Sequence, residues 1–362
     1  MLRVLHIVSS LGYGGIETVL MNMYRNIDRT KIQFDFLRTV NKKEYCDDKV
    51  ISLGARVFQR PMRRHNLIRN MSVLYKMLKE NPEIKILHIH CSLPFYAVDT
   101  LMAMLFGINV RIVHSHGAPG TSFLRSVCRP VLRATSTHWF GISTEAVKSL
   151  FGKRSISNKK TRIIKDAFDL EPFRYDPKKR ELMRSQLEIG NQFAILHVAR
   201  MDPVKNQSFL LDAFSGALKK QPDIVLLFAG DGDMHDALLK KTTALGIDSH
   251  VRFLGRRDDI PALLQAADLH ALPSFSEGLS VSVIEAQTAG LPCLVSDTVT
   301  RECKLTEAVE FLPINKGPEI WAERMLAYRT YERCDTLDDV RKAGYDIKDT
   351  VKALEEFYLN CI

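Results

Sequence analysis

The stretch LPSFSEGLSVSVIEAQTAGLP, residues 272–292, places two carboxylates on either side of a predicted helix start. If Glu277 and Glu285 both belonged to one helix, they would lie about 12 Å apart along its axis and about 80° apart around it. Two such carboxylates could not easily share a ligand. We therefore predict that Glu277 lies in a loop and Glu285 one to two turns into the following helix, so that both face one ligand. Gly278 would let the loop backbone approach that ligand, and the helix start would offer N–H donors to an anion.

Short apolar runs rich in β-branched residues alternate with helical patterns along the whole chain. Seven such runs precede residue 170, and six follow residue 190. Alternating strand and helix signals indicate parallel sheets with helices on both faces. The sequence thus predicts an α/β protein of two Rossmann-like domains facing a cleft, with ligands at the carboxyl ends of the strands.

A charged segment with two prolines, DLEPFRYDPKKRELMRSQLEIGNQ, separates the two series of strands. We interpret it as the boundary between an N-terminal domain, 1–172, and a C-terminal domain, 190–334. The last residues, 335–362, have the pattern of a charged helical tail that packs back on the N-terminal domain. A chain of 362 residues, 46% of them hydrophobic, can bury the two cores that this division requires.

The composition bounds the location and the partners of the protein. The seven cysteines are scattered and form no CxxC pair, which is typical of reduced thiols in the cytoplasm. Residues 1–175 hold 28 Lys and Arg against 13 Asp and Glu, whereas residues 176–362 hold 23 against 29. The basic half favours an anionic partner, which could be nucleic acid, anionic lipid or a substrate that carries pyrophosphate.

Arginines concentrate at three places in this basic half. Arg125, Arg129 and Arg133 would form one stripe beside apolar residues if their segment is helical, and residues 60–69 and 153–162 hold two further clusters. Most charge runs are solvated faces, but this combination suits docking on an anionic membrane surface. No recognition motif or aromatic stacking platform accompanies the basic residues, so nucleic acid is not expected. The predicted location is the cytoplasm, either free or peripheral on the inner face of the cytoplasmic membrane.

Two further motifs follow strands of the second series. HVARMDPVKNQ, residues 197–207, places Arg200 and Lys205 after a strand, where the two cations could hold phosphate oxygens. FAGDGD, residues 228–233, ends the next strand in a tight turn. Each motif alone is weak, since paired basic residues are usually solvated and a Gly-Asp-Gly turn is a common loop.

Together and in this order, the motifs resemble the retaining glycosyltransferases of family 4, which have the GT-B fold. The resemblance covers nearly the whole chain: GGIE in the first loop, SHG after a middle strand, the Arg and Lys pair, GDG, FLG, two Glu separated by seven residues, and AGLP. The match in the block around the two Glu is specific to the family, whereas the match in the first loop is weak.

The resemblance implies roles for residues of the second domain. Arg200 and Lys205 would hold the diphosphate of a nucleotide-sugar donor and stabilise the leaving nucleotide. Glu285 would accept hydrogen bonds from the ribose, and Glu277 would bind hydroxyls of the transferred sugar. The remaining contacts would come from backbone N–H groups near Gly278 and Leu279, and from Gly255 and Arg256 in FLGRR, next to the base.

The implied reaction retains the configuration of the anomeric carbon, by front-face attack assisted by the donor phosphate. Fixed cations and a helix N-terminus would stabilise the diphosphate, so no cofactor or metal ion is expected. The Asp-x-Asp of Asp231 and Asp233 matches the Gly-Asp-Gly turn of the family and is not interpreted as a metal site. The donor expected is a UDP-sugar, and the acceptor a saccharide or a polyprenyl-pyrophosphate-linked saccharide of capsule or exopolysaccharide synthesis.

Three alternatives remain. Glu277 and Glu285 could be the acid and nucleophile of a glycosidase, although the phosphate-binding residues would then have no purpose. A UDP-N-acetylhexosamine 2-epimerase shares the two-domain plan. The third alternative is a partner subunit that binds sugar nucleotides but has lost activity; the intact Glu277, Glu285, Arg200, Lys205 and His116 argue against it.

The first domain offers glycines and histidines. Gly14 and Gly15 do not form a dinucleotide loop because Glu17 occupies the place of the third glycine; they are expected to face the donor phosphate and the acceptor. His116, before Gly117, matches the family residue that hydrogen-bonds the donor sugar.

Three more histidines accompany His116 on two predicted strands. His114 and His116 are predicted on opposite faces of a strand end. His88 and His114 are interpreted as core residues, and His90 is a weaker candidate for the acceptor pocket. Zinc is not expected because no Cys or carboxylate lies at a suitable spacing. Asp166 and Ala167 replace the Asn-Gly that the family often shows.

Overall fold

The computed structural model of the protein describes residues 1–12, 14–40, 42–63, 66–91, 94–117 and 123–362. The chain divides into two compact units. The first unit is Met1–Phe168 with Gly344–Ile362, and the second unit is Asp169–Ala343. Each unit is built around one sheet in which all paired strands are parallel.

The first unit holds a seven-stranded sheet in the order β3-β2-β1-β4-β5-β6-β7. Its strands are β1 Leu2–Ile7, β2 Ile32–Arg38, β3 Val57–Gln59, β4 Ile84–Cys91, β5 Val110–Ser115, β6 His138–Gly141 and β7 Thr161–Ile163. The helices of this unit are α1 Gly15–Asn26, α2 Asp47–Ser52, α3 Leu67–Glu80, α4 Ala97–Leu105, α5 Phe123–Thr135, α6 Thr144–Phe151 and α14 Ile347–Asn360.

The second unit holds a six-stranded sheet in the order β10-β9-β8-β11-β12-β13. Its strands are β8 Phe193–Val198, β9 Ile224–Ala229, β10 Val251–Phe253, β11 Leu269–Leu272, β12 Cys293–Ser296 and β13 Val309–Leu312. The helices of this unit are α7 Pro177–Gln186, α8 Gln207–Lys220, α9 His235–Leu245, α10 Ile260–Ala266, α11 Val281–Thr288, α12 Pro318–Ala327 and α13 Leu337–Lys342.

The predicted fold class is confirmed: there are two α/β units with parallel sheets, and each of the thirteen apolar runs contains one strand. Strands covered on both faces by helices need continuous apolar runs, and every residue of β9 is buried. Separate apolar cores fill the two faces of the first sheet, and a third lies in the second unit. Among the described residues, no helix is long and apolar enough to cross a membrane.

The final helix, α14, belongs to the first unit. Its buried residues recur with helical spacing at Ile347, Val351, Leu354 and Phe357, which gives one apolar face. That face joins the core beneath β1 and β2, and α14 lies against α1.

The charged segment between the two strand series contains α7, which lies against α10 in the second unit. Arg180 donates to the carbonyls of Gln265, Ala266 and Ala267 at the end of α10. Arg184 donates to Ala266 as well. Two arginines of this segment therefore satisfy carbonyls that a helix end leaves without partners.

Candidate functional site

The order of each sheet reverses between two neighbouring strands, β1 and β4 in the first unit and β8 and β11 in the second. Ligands of open parallel sheets bind outside the carboxyl ends of the strands at such a point. The loop after β8 holds Arg200 and Lys205, and the loop after β11 holds Glu277. The sequence therefore brings these three side chains to the switch point of the second sheet.

Hydrogen bonds join these two loops. The Asn206 side chain donates to the Pro273 carbonyl over 3.1 Å, and the Phe275 N–H donates to the Val204 carbonyl over 2.8 Å. Asn206 itself is left-handed, with φ of 56°, a conformation that asparagine tolerates better than most residues. The loops therefore hold each other in place beside the strand ends.

Lys205 and Glu277 form an ion pair across the two loops. Lys205 Nζ lies 2.5 Å from Glu277 Oε1, and the same oxygen accepts a hydrogen bond of 2.8 Å from the Ser274 hydroxyl. The side chains are 22% and 13% exposed, so an incoming ligand can reach the pair. The arrangement sets one cation and one acceptor carboxylate side by side, which suits a ligand with both anionic and hydroxyl groups.

Arg200 lies on the same loop but is 77% exposed. Its guanidinium contacts Asp202 at 2.9 Å, and Asp202 also accepts from the Val204 N–H at the start of the 3-10 turn Pro203–Lys205. An exposed ion pair of this kind contributes little to stability. The Arg200 charge is therefore available to an anion that approaches the loop.

The glycines of the Gly-Asp-Gly turn have a packing role. A Cβ on Gly230 would lie 1.9 Å from the Ala199 carbonyl oxygen, and one on Gly232 would lie 2.3 Å from that of Met201. Backbone hydrogen bonds join the turn to the Arg200 loop through Met201 and Asp231, and to Gly255 through Gly230. Only glycine lets the turn support the loop this closely.

Glu285 lies in α11, and its carboxyl has no hydrogen-bond partner among the described residues. Burial raises the pKa of its carboxyl to about 8. A carboxylate that lacks partners gains most from a ligand that donates to it. Glu277 lies between β11 and α11, and Glu285 lies in α11, so the predicted placement of the two residues is confirmed.

Four other predicted contacts lie on loops of the second unit. Gly278 is exposed, and a Cβ on it would meet nothing within 4 Å, so only a ligand could require a glycine there. Leu279 is half-buried before the start of α11, whose N-cap residue Ser280 makes no side-chain cap. Gly255 has φ of 64°, and Arg256 beside it is exposed.

Gly14 and Gly15 begin α1 in the first unit, after β1. Gly14 is the N-cap, and a Cβ on it would lie 2.5 Å from a carboxylate oxygen of Glu17. Glu17 in turn accepts a hydrogen bond of 2.6 Å from Ser10. The carboxylate of Glu17, which stands where a dinucleotide loop has its third glycine, thus lies over the loop.

His116 follows β5 and is 2% exposed at its side chain. Its Nε2 lies 2.8 Å from Nδ1 of His90, and its Nδ1 lies 3.9 Å from the Asp166 carboxylate. Both ring nitrogens thus face protein groups, and a hydrogen bond from the ring to a sugar requires the ring to leave one of them. Burial lowers the pKa of His116 to about 3.

The prediction that His114 and His116 lie on opposite faces is wrong. Their ring centroids are 4.3 Å apart. The backbone stays extended past the end of β5 because the His116 N–H still donates to the Cys91 carbonyl, so residues 114 and 116 share a face.

The predicted arginine stripe is divided in the structure. Arg129 donates to the carbonyls of Ser149 and Leu150 at the end of α6, and Arg133 lies over the ring of Trp139. Arg60 is buried and binds Asp99 through two hydrogen bonds of 2.9 Å. These arginines therefore act within the fold, and Arg64 lies outside the described residues.

Comparisons with known proteins identify the family. The family described as Glycosyl transferases group 1 matches residues 178–319, which include Arg200, Lys205, Glu277 and Glu285. The chain is 30% identical over 369 residues to the putative glycosyltransferase EpsF of Bacillus subtilis, covering 98% of this chain and 96% of that protein. The chain belongs to the group 1 glycosyl transferases. The prediction that the chain is an enzyme, a glycosyltransferase, is thereby confirmed.

This glycosyltransferase is also similar to a second curated protein and to a solved structure. It is 27% identical over 271 residues to the UDP-Gal:alpha-D-GlcNAc-diphosphoundecaprenol alpha-1,3-galactosyltransferase of Escherichia coli, covering 72% of this chain and 70% of that protein. Its fold matches HepE of Anabaena, crystallised in complex with UDP, with a TM-score of 0.79 and 18% identity, covering 99% of this chain and all of that one. The likeness to HepE establishes the GT-B fold.

Sequence reasoning missed the residues that hold this glycosyltransferase's site in place. Ser274, Asp202 and Asn206 bind Glu277, Arg200 and the neighbouring loop. A signal was present, because short polar side chains that directly follow strands often bind loop backbone. His6 was also missed, although it stands on β1 beside the strand that carries His88 and His90.

Proposed function

We propose that the protein is a retaining family 4 glycosyltransferase that uses a UDP-sugar without a metal ion. Its acceptor is a saccharide or a polyprenyl-pyrophosphate-linked saccharide of capsule or exopolysaccharide synthesis. The observation that carries this proposal is the Lys205–Glu277 pair at the switch point of the second sheet, with Glu285 unpartnered on the next helix.

Lys205 and Arg200 are the candidates for the donor diphosphate. Negative charge develops on the diphosphate as the sugar leaves, and a fixed cation in a partly desolvated place stabilises that charge most. Lys205 is held by Glu277 and is 22% exposed, whereas the Arg200 side chain is exposed and can change its conformation to meet the diphosphate. The N-terminus of α11 adds backbone donors, and together these groups do the work that a metal ion does elsewhere.

Glu285 is the candidate for the ribose hydroxyls. Each hydroxyl that donates to the carboxylate favours its ionised form, so binding of the nucleoside repays the cost of the buried charge. Glu277 keeps one oxygen on Lys205 and Ser274, and its other oxygen can accept from hydroxyls of the transferred sugar. Gly255 and Arg256 follow β10 and are the candidates for the base.

A glycosidase-like use of the two carboxylates has less support. Two carboxyl groups on successive elements, one of them with a raised pKa as at Glu285, are a pattern that hydrolases use. Hydrolysis would leave the Arg200 and Lys205 charges without a substrate group to bind. Front-face transfer uses these charges and leaves the donor phosphate to take the acceptor proton.

The donor and acceptor classes rest on relatives. HepE binds UDP in its crystal, and the name of the E. coli relative includes UDP-Gal and a diphosphoundecaprenol-linked sugar. A panel of nucleotide sugars with membrane extract as acceptor tests this choice through the release of UDP or GDP. We expect UDP release with one UDP-sugar, at a rate that excess EDTA leaves unchanged. Release of GDP alone, or activity lost with EDTA and restored by Mg²⁺ or Mn²⁺, would contradict the proposal.

His116 is the candidate for the donor sugar in the first unit, with Gly14 and Gly15 facing the phosphate and the acceptor. Gly14 makes no side-chain cap at the start of α1, but the Glu17 carboxylate lies beside it, so a phosphate can bind these N–H groups only if Glu17 moves aside. His116 serves through a neutral imidazole because burial holds its pKa low.

We also propose that helices α3–α5 of the first unit touch an anionic membrane. Helix α4 contacts both α3 and α5. The three helices expose apolar side chains: Ile68 is 83% exposed, Leu105 76% and Val127 57%. Lysines at 76 and 79 are exposed on α3 and add attraction to anionic lipid. The protein would then lie in the cytoplasm, peripheral on the inner face of the membrane.

Flotation with vesicles tests this surface. We expect binding to vesicles with anionic lipid, weakened by salt, and at least about tenfold weaker binding for the double variant Ile68→Glu, Leu105→Glu. The matched control is Leu182→Glu, an exposed leucine of the second unit, which should bind as wild type does. Equal binding of all three proteins, or binding to neutral vesicles alone, would contradict the membrane proposal.

A further inference from the structure

Five buried histidines lie on one face of the first sheet, where the proposed function uses only one of them. His6 comes from β1, His88 and His90 from β4, and His114 and His116 from β5 and its end. The side chains of Phe34, Phe36, Phe140 and Tyr358 surround them. Such positions usually hold apolar residues, so a row of imidazoles there calls for a reason.

Three of these rings are joined head to tail. His116 Nε2 lies 2.8 Å from His90 Nδ1, and His90 Nε2 lies 2.9 Å from His6 Nδ1. In both contacts, one ring offers Nε2 and the next offers Nδ1. A neutral imidazole carries its proton on one nitrogen only, so each contact has one donor and one acceptor. The tautomer of one ring therefore fixes the tautomers of the other two.

The distances favour hydrogen bonds over a shared metal ion. Two imidazole nitrogens that bind one tetrahedral ion at about 2.0–2.1 Å are about 3.3 Å apart. The two contacts at His90 are shorter than that and have the length of N–H···N hydrogen bonds. His88 and His114, at 3.3 Å, form a separate pair that ends on the Tyr358 hydroxyl.

The chain of three rings ends beside a buried acid. Asp166 Oδ1 lies 3.9 Å from His116 Nδ1, and neither atom has a hydrogen-bond partner among the described residues. A movement of about 1 Å brings them within hydrogen-bond distance. Burial raises the pKa of Asp166 to about 7, so this acid changes its charge near neutral pH. His6 Nε2, at the other end, is likewise buried without a partner.

We propose that Asp166 sets the tautomer of His116 through a proton-transfer chain that includes His90 and His6. With Asp166 ionised, His116 donates from Nδ1 to the carboxylate, His90 donates from Nδ1 to His116, and His6 donates from Nδ1 to His90. With Asp166 protonated, all three rings carry the proton on Nε2. The change takes up one proton in total: His6 Nε2 gains a proton, each ring passes its Nδ1 proton to the Nε2 of the next ring, and Asp166 receives the last.

Asp166, His90 and His6 are then positioning residues for His116, whose contact with the donor sugar rests on the proposed function. The chain keeps the His116 ring neutral and decides which of its two nitrogens carries the proton, and so which one can donate when the ring leaves Asp166 or His90 to bind a sugar. Other titratable groups face these rings: His88 and His114 stack on His90, Tyr358 binds His88, and Asp35 acts on His6. Burial holds the histidine pKa values low, so Asp166 is the group of this cluster that titrates near neutral pH.

Histidine-selective ¹⁵N NMR of the full-length protein, without substrate, tests the chain. Between about pH 5.5 and 8.5, we expect His116, His90 and His6 to move from Nε2–H to Nδ1–H with one midpoint near 7. Asp166→Asn should abolish this change in all three rings. His90→Gln should abolish it in His6 alone, and His88 and His114 serve as the internal control.

Each outcome decides the proposal. Independent midpoints, an unchanged titration in Asp166→Asn, or one equivalent of a transition metal in the purified protein would overturn it. If Asp166→Asn fails to fold, the His90→Gln result still decides, because a structural role alone would not separate His6 from His116. Coupled titration together with full turnover of His116→Ala would retain the chain and refute only the role of His116 in the proposed function.

Discussion

Replacement of Lys205 by alanine is expected to lower kcat/KM at least about 100-fold, because it removes a fixed cation from the developing charge of the leaving diphosphate. Lys205 is partly desolvated and held at 2.5 Å by Glu277, so neither water nor exposed Arg200 can replace it in position. The measurement is UDP release at saturating and limiting donor. A loss concentrated in kcat would indicate stabilisation of the transition state rather than of bound donor.

Lys241→Ala is the matched control for this variant. Lys241 is a lysine of the same unit, 27% exposed, with Nζ 2.6 Å from the Asp212 carboxylate. It lies on α9, binds Ser208 and Asp212 of α8, and has no assigned contact with the donor, so its loss should leave kcat/KM within about twofold of wild type. A Lys205→Ala enzyme at full rate, or equal losses in both variants, would refute the assigned role.

Replacement of Glu285 by glutamine is expected to weaken UDP binding about 10- to 100-fold and at the same time to stabilise the protein. The affinity falls because charge-assisted hydrogen bonds from the ribose become neutral ones. The stability rises because the pKa of Glu285 is about 8 in the folded protein and near 4.5 when unfolded. Ionisation therefore costs the folded state stability as pH rises from about 4.5 to 8, and glutamine removes that cost.

Urea unfolding at pH 5 and pH 8, together with calorimetric titration of UDP, measures both effects. With a discount for the partial exposure of the side chain, we expect a gain of about 2 kcal/mol at pH 8 and a small one at pH 5. Glu310→Gln is a control of opposite sign, because Arg324 and Tyr328 bind Glu310 and its pKa is lowered despite its burial. The Glu310→Gln protein should lose stability at pH 8 and keep its affinity for UDP. A Glu285→Gln protein that is less stable than wild type would contradict the account.

The strands and the site loops could be predicted because their signals are local. Each strand of both sheets is a short apolar run followed by a helical pattern, so the run itself shows where the strand lies. The carboxyl ends of parallel strands meet at one edge, so the sequence alone predicts that Arg200, Lys205 and Glu277 lie together. The spacing of Glu277 and Glu285 excluded a single helix by geometry alone.

The contacts that the sequence does not reveal are pairs of distant residues. Lys205 and Glu277 are 72 positions apart, and nothing in either motif shows that they form an ion pair. The chain from His6 to His116 depends on the register of three strands and on one more extended residue after β5. Arg129 was predicted on a basic stripe, but its guanidinium binds the end of α6, because the spacing of charges does not show which carbonyls lie nearby.

The anomeric configuration of the product tests the central claim most directly. The donor that gives UDP release is incubated with acceptor and excess EDTA, and the new anomeric proton is followed by NMR from the first turnovers. Retaining, metal-independent transfer predicts a product with the α configuration of an α-linked donor, formed in step with UDP. A β-linked product, free sugar in place of a glycoside, or no product until a divalent metal is added would contradict it.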